Sequence, residues 1–427
     1  MAFDERMVSL GTPLASVRPP RMLENAMTTI PADRRTTAAR NGDFVVFAVS
    51  GALIASWTSR VPDVKTLMAL TPGQLGIMLL AISLGSMLGL PTAGRIAHRI
   101  GAAKTVRLGA VVSLAGLMLA GVAVQAGLSM FLVMPALFLV GLGGGVWDVA
   151  QNFEGTNVER ALGKAIMPWF HAAFSGATVL AALVGAGMTA LHVPLAIHLG
   201  AVSVLGLLAV WWGTAQFLPA FDDDERTTPG STAPARSAWL EPRTLLVGLV
   251  VLAAAFAEGT ANDWLAVAFV DGHGFPNALG VIALAVFLTF MTAGRILGTS
   301  LLDRYGRVPV LRILFGAALI GCLMVVFGDA WVALAGTAVW GVGASLGFPV
   351  GMSAAADDPA RAPMRLSVVT TIGYGAFLAG PPLLGFLGDH FGVLRALLVV
   401  GAISLVALAV VPAARPLQKA EATSRSV

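Results

Sequence analysis

Residues 278–327 read ALGVIALAVFLTFMTAGRILGTSLLDRYGRVPVLRILFGAALIGCLMVVF, two apolar runs joined by the short basic turn Asp303-Arg304-Tyr305-Gly306-Arg307. A bilayer core takes about 20 mostly apolar residues per helical span, and each run is long enough. Ten more runs of this kind lie near 44–60, 74–93, 106–124, 130–153, 166–190, 194–217, 243–268, 331–352, 364–387 and 392–412. The chain is 57% hydrophobic and 12% charged, against roughly a quarter charged in a soluble protein. The expected fold is therefore an all-α membrane protein with twelve transmembrane helices embedded in a lipid bilayer.

The chain carries a net charge of +4, so the placement of the basic residues decides what that charge is for. With a cytoplasmic N-terminus, alternate connections and both tails hold 24 of the 27 Lys and Arg residues, and only Arg60, Lys65 and Arg395 fall elsewhere. That asymmetry is the positive-inside pattern of a multi-pass inner-membrane protein with both termini cytoplasmic. Topology accounts for the basic excess, and nucleic-acid binding is excluded. Cys322 is the single cysteine and lies in an apolar run, so neither a disulfide framework nor a thiolate metal cluster is expected. No Lys or Arg occupies the middle of an expected span, which disfavours a strongly anionic solute.

Offsetting the sequence by about 205 residues brings one half onto the other, the internal similarity that marks repeat architectures. Pro72, Leu75 and Gly76 fall on Pro276, Leu279 and Gly280; Arg99 and Gly101 on Arg304 and Gly306; Gly141 and Gly143 answer Gly341 and Gly343. The expected organisation is a disordered cytoplasmic tail over 1–42, a six-helix bundle over 43–217, a linker over 218–242, a second bundle over 243–413 and a tail over 414–427. Asp222 to Glu225 and the prolines 229, 234 and 242 give the linker its flexible, polar composition. Two halves related by an axis along the membrane normal are a known transporter plan.

The glycine-rich runs at 141–145 and 341–347 lack the preceding strand of a phosphate loop and lie in apolar helices, where small residues mediate helix packing. No cofactor, metal or enzymatic chemistry follows from them. Intramembrane acids do point to function, because a charge at the bilayer centre costs about 3 kcal/mol even on the lenient insertion scale. Asp148, Glu258 and Asp263 are candidates on that ground. Asp148 and Asn152, four residues apart, share a helix face, and Gln151, Asn262 and His171 add polar groups. Trp57, Trp147 and Trp264 offer aromatic faces for a solute, beside their commoner role as interfacial anchors. Trp169 stands with them. Glu258, about 21 Å along its span at 1.5 Å per residue, is placed in the outer half, and Arg60 is expected to pair with Asp263 as an outer gate.

After the second and eighth spans, Gly94, His98, Arg99 and Gly101 and then Asp303, Arg304, Gly306 and Arg307 resemble the cytoplasmic signature of the major facilitator superfamily, with His98 where that signature has Asp. The resemblance implies two six-helix bundles with pseudo-two-fold symmetry and alternating access. It further implies that the carboxylate at this position holds a basic residue on a neighbouring helix, for which Arg365 is the candidate beside His98. A histidine there predicts a weakened closure of the cytoplasmic side. The strings Ser56 to Pro62, Trp147 to Asn152, Glu258 to Trp264 and Phe348-Pro349 resemble a bacterial branch neighbouring the fucose/proton symporters. Asp148 and Asn152 match the acid and amide that in those symporters take part in proton-coupled sugar binding, while Thr58 stands where they carry a further acid. The expected function is transport of a small, neutral, polar, sugar-like solute by a monomer, with spans one, four, seven and ten lining the cavity and proton symport through Asp148 as its sharper form. Proton-coupled efflux of drugs or metabolites is the second reading. A transport-inactive sensor is a third, and no large signalling domain supports it.

Overall fold

The computed structural model describes residues 34–219, 235–359 and 361–417. Twelve helices in it are long and apolar enough to span a bilayer. They are α1 (Arg34–Leu67), α2 (Pro72–Ile100), α3 (Ala102–Gln125), α4 (Met130–Leu162), α5 (Met167–Ala190), α6 (Leu195–Ala215), α7 (Pro242–His273), α8 (Asn277–Tyr305), α9 (Arg307–Phe327), α10 (Ala330–Ala355), α11 (Ala362–Phe391) and α12 (Val393–Ala414). The first helix starts at Arg34, ahead of the expected boundary at 43, so the end of the supposed tail is helical. The linker acids and prolines at 222–234, and the last ten residues, lie outside the described residues.

Helix ends follow from local chemistry. Thr71 caps α2 by accepting from the Gln74 amide while the Gln74 side chain accepts from the Thr71 amide, a reciprocal capping box. Gly101 and Gly306 both adopt φ near +80°, turning α2 into α3 and α8 into α9 within one residue. A side chain would strain that left-handed turn, which explains why the glycine recurs in both halves. The membrane helix α1 is interrupted at Ser59 and Arg60 before Pro62 restarts it, and α10 is interrupted between Ala344 and Gly347.

The two halves repeat one packing pattern: α2 on α4, α3 on α4, α1 on α5 and α3 on α6 recur as α8 on α10, α9 on α10, α7 on α11 and α9 on α12. The glycine pairs make this possible, since a Cβ at Gly143 would overlap the Gly109 carbonyl of α3 and one at Gly343 the Ala318 amide of α9. Between the halves, α2 packs on α11 and α5 on α8. Large apolar side chains such as Phe131, Leu205, Ile313 and Phe327 remain exposed on the outer surface, where a bilayer would cover them.

Candidate substrate cavity

A cavity of about 350 Å³ lies between the halves, within the range of small-molecule sites. Its walls come from α1, α2, α5, α7, α8 and α11; α4 contributes Val140 and α10 nothing. The expected quartet of spans one, four, seven and ten is thereby corrected. Spans four and ten are held back against their neighbours by the glycine contacts, which leaves α2, α5, α8 and α11 to face the space.

The charged groups of the wall all belong to the second half. Glu258 of α7 faces Arg295 of α8 at 2.7 Å, and Arg295 also donates to the Ser345 carbonyl at 3.2 Å. Arg295, five residues from the end of the apolar run 278–300 and counted in the charge tally with the turn that follows, stands in the cavity wall. Glu258 lies about halfway along the 32-residue α7, so it is central and not in the outer half. Asn262 lines the same wall and donates to the Glu258 carbonyl at 3.0 Å. Asp263, five residues beyond Glu258 toward the end of α7, lines the same cavity as Trp57 and Phe377. Its carboxyl has no hydrogen-bond partner among the described residues.

Asp148 lies two helical turns from Val140 along α4, about 12 Å closer to the end that bears the chain termini. It is exposed, and accepts hydrogen bonds from Gln151 at 3.1 Å and Asn152 at 3.4 Å. His171 of α5 is exposed nearby, within electrostatic reach of Asp148 and Arg295, and Tyr374 of α11 feels the Asp148 charge from the other half. Asp148, Asn152 and His171 form a vestibule outside the narrow cavity, whose wall includes Tyr374. The tryptophans separate: Trp57 lines the cavity, Trp147 and Trp264 are at most 1% exposed and fill helix interfaces, and Trp169 is 67% exposed on the outside.

The far end of the bundle, opposite the termini, is closed by bonds between the halves. Asp63 accepts from Asn277 at 2.7 Å, Lys65 pairs with Asp271 at 3.0 Å, and the Gly73 amide donates to Asp389 at 3.0 Å. Arg60 pairs with Asp63 at 2.6 Å and donates to the Val193 carbonyl, so the expected Arg60–Asp263 pair does not form. Proximity in sequence decided the contest, since Asp63 lies one helical turn from Arg60. At mid-depth Pro381 has no N–H to offer the Phe377 carbonyl four residues before it, and Ser83 of the other half donates there at 2.8 Å.

At the terminus end, Arg307 of the second signature pairs with Asp357 at 2.7 Å, and Arg243 joins the same carboxylate at 2.7 Å. Arg304 lies over the Tyr305 ring at 5.2 Å. Arg365 is engaged by Glu241 at 2.7 Å and Asp358 at 3.6 Å, not by His98. Burial works against the Glu241 charge, but hydrogen bonds from Arg365 and Thr244 with the charges of Arg365 and Arg361 outweigh it and hold the carboxyl below its ordinary range. In the first signature nothing approaches Gly94. Asp43 was missed through its position at the expected tail boundary: it is fully buried near Glu154, with neither carboxyl oxygen partnered, while Glu154 accepts from the Leu218 amide at 2.7 Å.

Two repeated six-helix halves around a central cavity define a solute transporter of the alternating-access class. The family model of the Major Facilitator Superfamily matches residues 43–328 and 282–426, and the chain belongs to that superfamily. It is 30% identical to an uncharacterised transporter of Sinorhizobium fredii over 388 residues, covering 89% of this chain and 99% of the relative. It is also 30% identical to an uncharacterised MFS-type transporter of Yersinia pestis, covering 87% and 94%. Among solved structures, the nucleoside transporter NupG superposes with a TM-score of 0.71 at 13% identity, over 90% of this chain and 100% of that one. The FucP transporter in its outward conformation superposes at 0.61 and 16% identity, over 88% and 99%.

Proposed function

We propose that the chain moves a small polar solute across the bacterial cytoplasmic membrane by rocking its two halves about the central cavity. The observation that carries this reading is a 350 Å³ cavity lined by both halves and closed at one end by bonds between them. The basic residues at the opposite end favour cytoplasmic termini, and on that reading the conformation faces inward. Return to the outward state requires the Lys65–Asp271, Asp63–Asn277 and Gly73–Asp389 bonds to break.

Asp148 is the proposed proton site. It is an exposed acid on the route between cavity and cytoplasm, bonded to Gln151 and Asn152 and within reach of His171. The test is a solute panel in proteoliposomes with an internal pH reporter, comparing the wild type with Asp148→Asn. Solute-driven proton movement in the wild type and its loss in the variant are expected. Proton movement that survives the substitution rules out Asp148, and solute flux without it indicates uniport.

A further inference from the structure

We infer that the solute carries a positive charge in the form of a protonated amine, and that Asp263 receives it. This deepens the transport reading above and rests on it. Sequence considerations had disfavoured only an anion; the arrangement of the wall goes further.

Hydrogen-bonding capacity gives the first reason. Five cavity hydroxyls already donate their proton to backbone carbonyls: Thr58 to Ala55, Ser83 to Phe377, Ser86 to Gly141, Thr178 to Phe174 and Thr292 to Leu288. A hydroxyl has one proton and two lone pairs, so what these groups can still offer a ligand is acceptance. Asp263 adds carboxyl oxygens that no side chain or amide has claimed. Free donors in the wall are the Ser175 and Tyr374 hydroxyls and the N–H groups that Arg295 and Asn262 do not spend on Glu258 and Ser345, fewer than the lone pairs the wall offers. A ligand complementary to such a wall must donate more hydrogen bonds than it accepts, which describes an ammonium group better than a carboxylate or phosphate.

Charge and aromatic placement give the second. With Glu258 and Arg295 neutralising each other, Asp263 leaves the wall one negative charge in excess when all three are ionised. Trp57, Tyr374 and Phe377 line the same space, and aromatic faces attract a cation through their quadrupole. An unpaired carboxylate in a cavity that also presents aromatic rings holds an ammonium by charge and by ring face together.

The test reads the sign of the cavity's field without needing the solute. In a Cys322→Ser background, Thr292→Cys on one wall and Ser86→Cys on the other are made separately. Each purified protein is labelled with three methanethiosulfonate reagents: trimethylammonium-ethyl, sulfonato-ethyl and neutral methyl. The cationic-to-anionic rate ratio, divided by the ratio for a free thiol in solution, should be about tenfold or more, as one unit charge within roughly 10 Å gives in a medium of intermediate dielectric constant. Asp263→Asn should bring it close to one. A normalised ratio near one or below in the wild type overturns the charge assignment and leaves the transport route standing. A ratio that survives Asp263→Asn overturns the role of Asp263. If even the neutral reagent fails at both cysteines while reacting with the unfolded chain, the cavity is not open to solvent, and the transport reading falls with the inference.

Discussion

The two halves repeat one helix packing, yet they distribute charge differently. At the terminus end of the second half Asp357 joins Arg243 and Arg307, Glu241 joins Arg361 and Arg365, and further in Glu258 joins Arg295. The corresponding region of the first half buries Asp43 beside Glu154, and the first-half wall of the cavity is apolar, aromatic and hydroxylic. Glycine contacts and turns are therefore the common frame, while the ion pairs at Asp357, Glu241 and Glu258 belong to the second half. A frame built on close backbone approach tolerates no added Cβ, so it is preserved in both copies. Charges at helix ends and cavity walls carry no such constraint and are free to specialise.

The largest test of this difference removes the shared carboxylate. Asp357→Ala strands two partly buried guanidinium groups and should destabilise the second half by about 3 kcal/mol, visible as a lower thermal midpoint of the purified protein. An unchanged midpoint would show that the ionic corner contributes nothing to holding α7, α9 and α10 together. Next, Arg295→Ala leaves Glu258 unpaired in the cavity and should reduce solute uptake about thirtyfold, equivalent to about 2 kcal/mol. Adding Glu258→Ala should restore part of the loss, and strict additivity of the two would refute their coupling.

Smaller effects probe the contact between halves. Ser83→Ala leaves the Phe377 carbonyl without its donor and should favour opening of the far end by about 1 kcal/mol. Spin labels at exposed Leu67 and Leu279 would report this as a larger population at long separation. Glu241 supplies a pH dependence whose sign follows from its lowered folded-state value: its contribution is present above the ordinary carboxylate range and disappears as the pH falls through the folded value. Glu241→Gln should flatten that acid limb, by under about 1 kcal/mol at this partly screened site; an identical limb in both proteins would assign the acid sensitivity elsewhere. The smallest expected change is His98→Asp, which supplies the first half with the acid it lacks and should shift the halves toward closure at the terminus end by about 0.5 kcal/mol. A cysteine at Gly94 that labels at the same rate with and without His98→Asp would remove the idea.

The helices, the repeat and the turns at Gly101 and Gly306 were legible because each depends on local quantities, namely run length, offset and a backbone that only glycine adopts easily. Site residues were legible only as types. Asp148, Glu258 and Asp263 stand out as acids in apolar runs, but the sequence could not say that one is exposed in a vestibule, one paired and one alone. Arg295 was hidden by the assumption that a basic residue near a span's end belongs to the turn, and Asp43 by its place at an expected boundary.

The sequence by itself determined that this chain spans a membrane twelve times as two related halves, because apolar length and glycine spacing act within a helix or between neighbours in the chain. Only the tertiary structure decided which charges meet. Arg60 takes Asp63 rather than Asp263, Arg365 takes Glu241 rather than standing beside His98, and Ser83 satisfies a carbonyl that a proline 298 residues away leaves bare. Ion pairs and hydrogen bonds act over a few ångströms, and the separation that matters to them is set by how the helices cross.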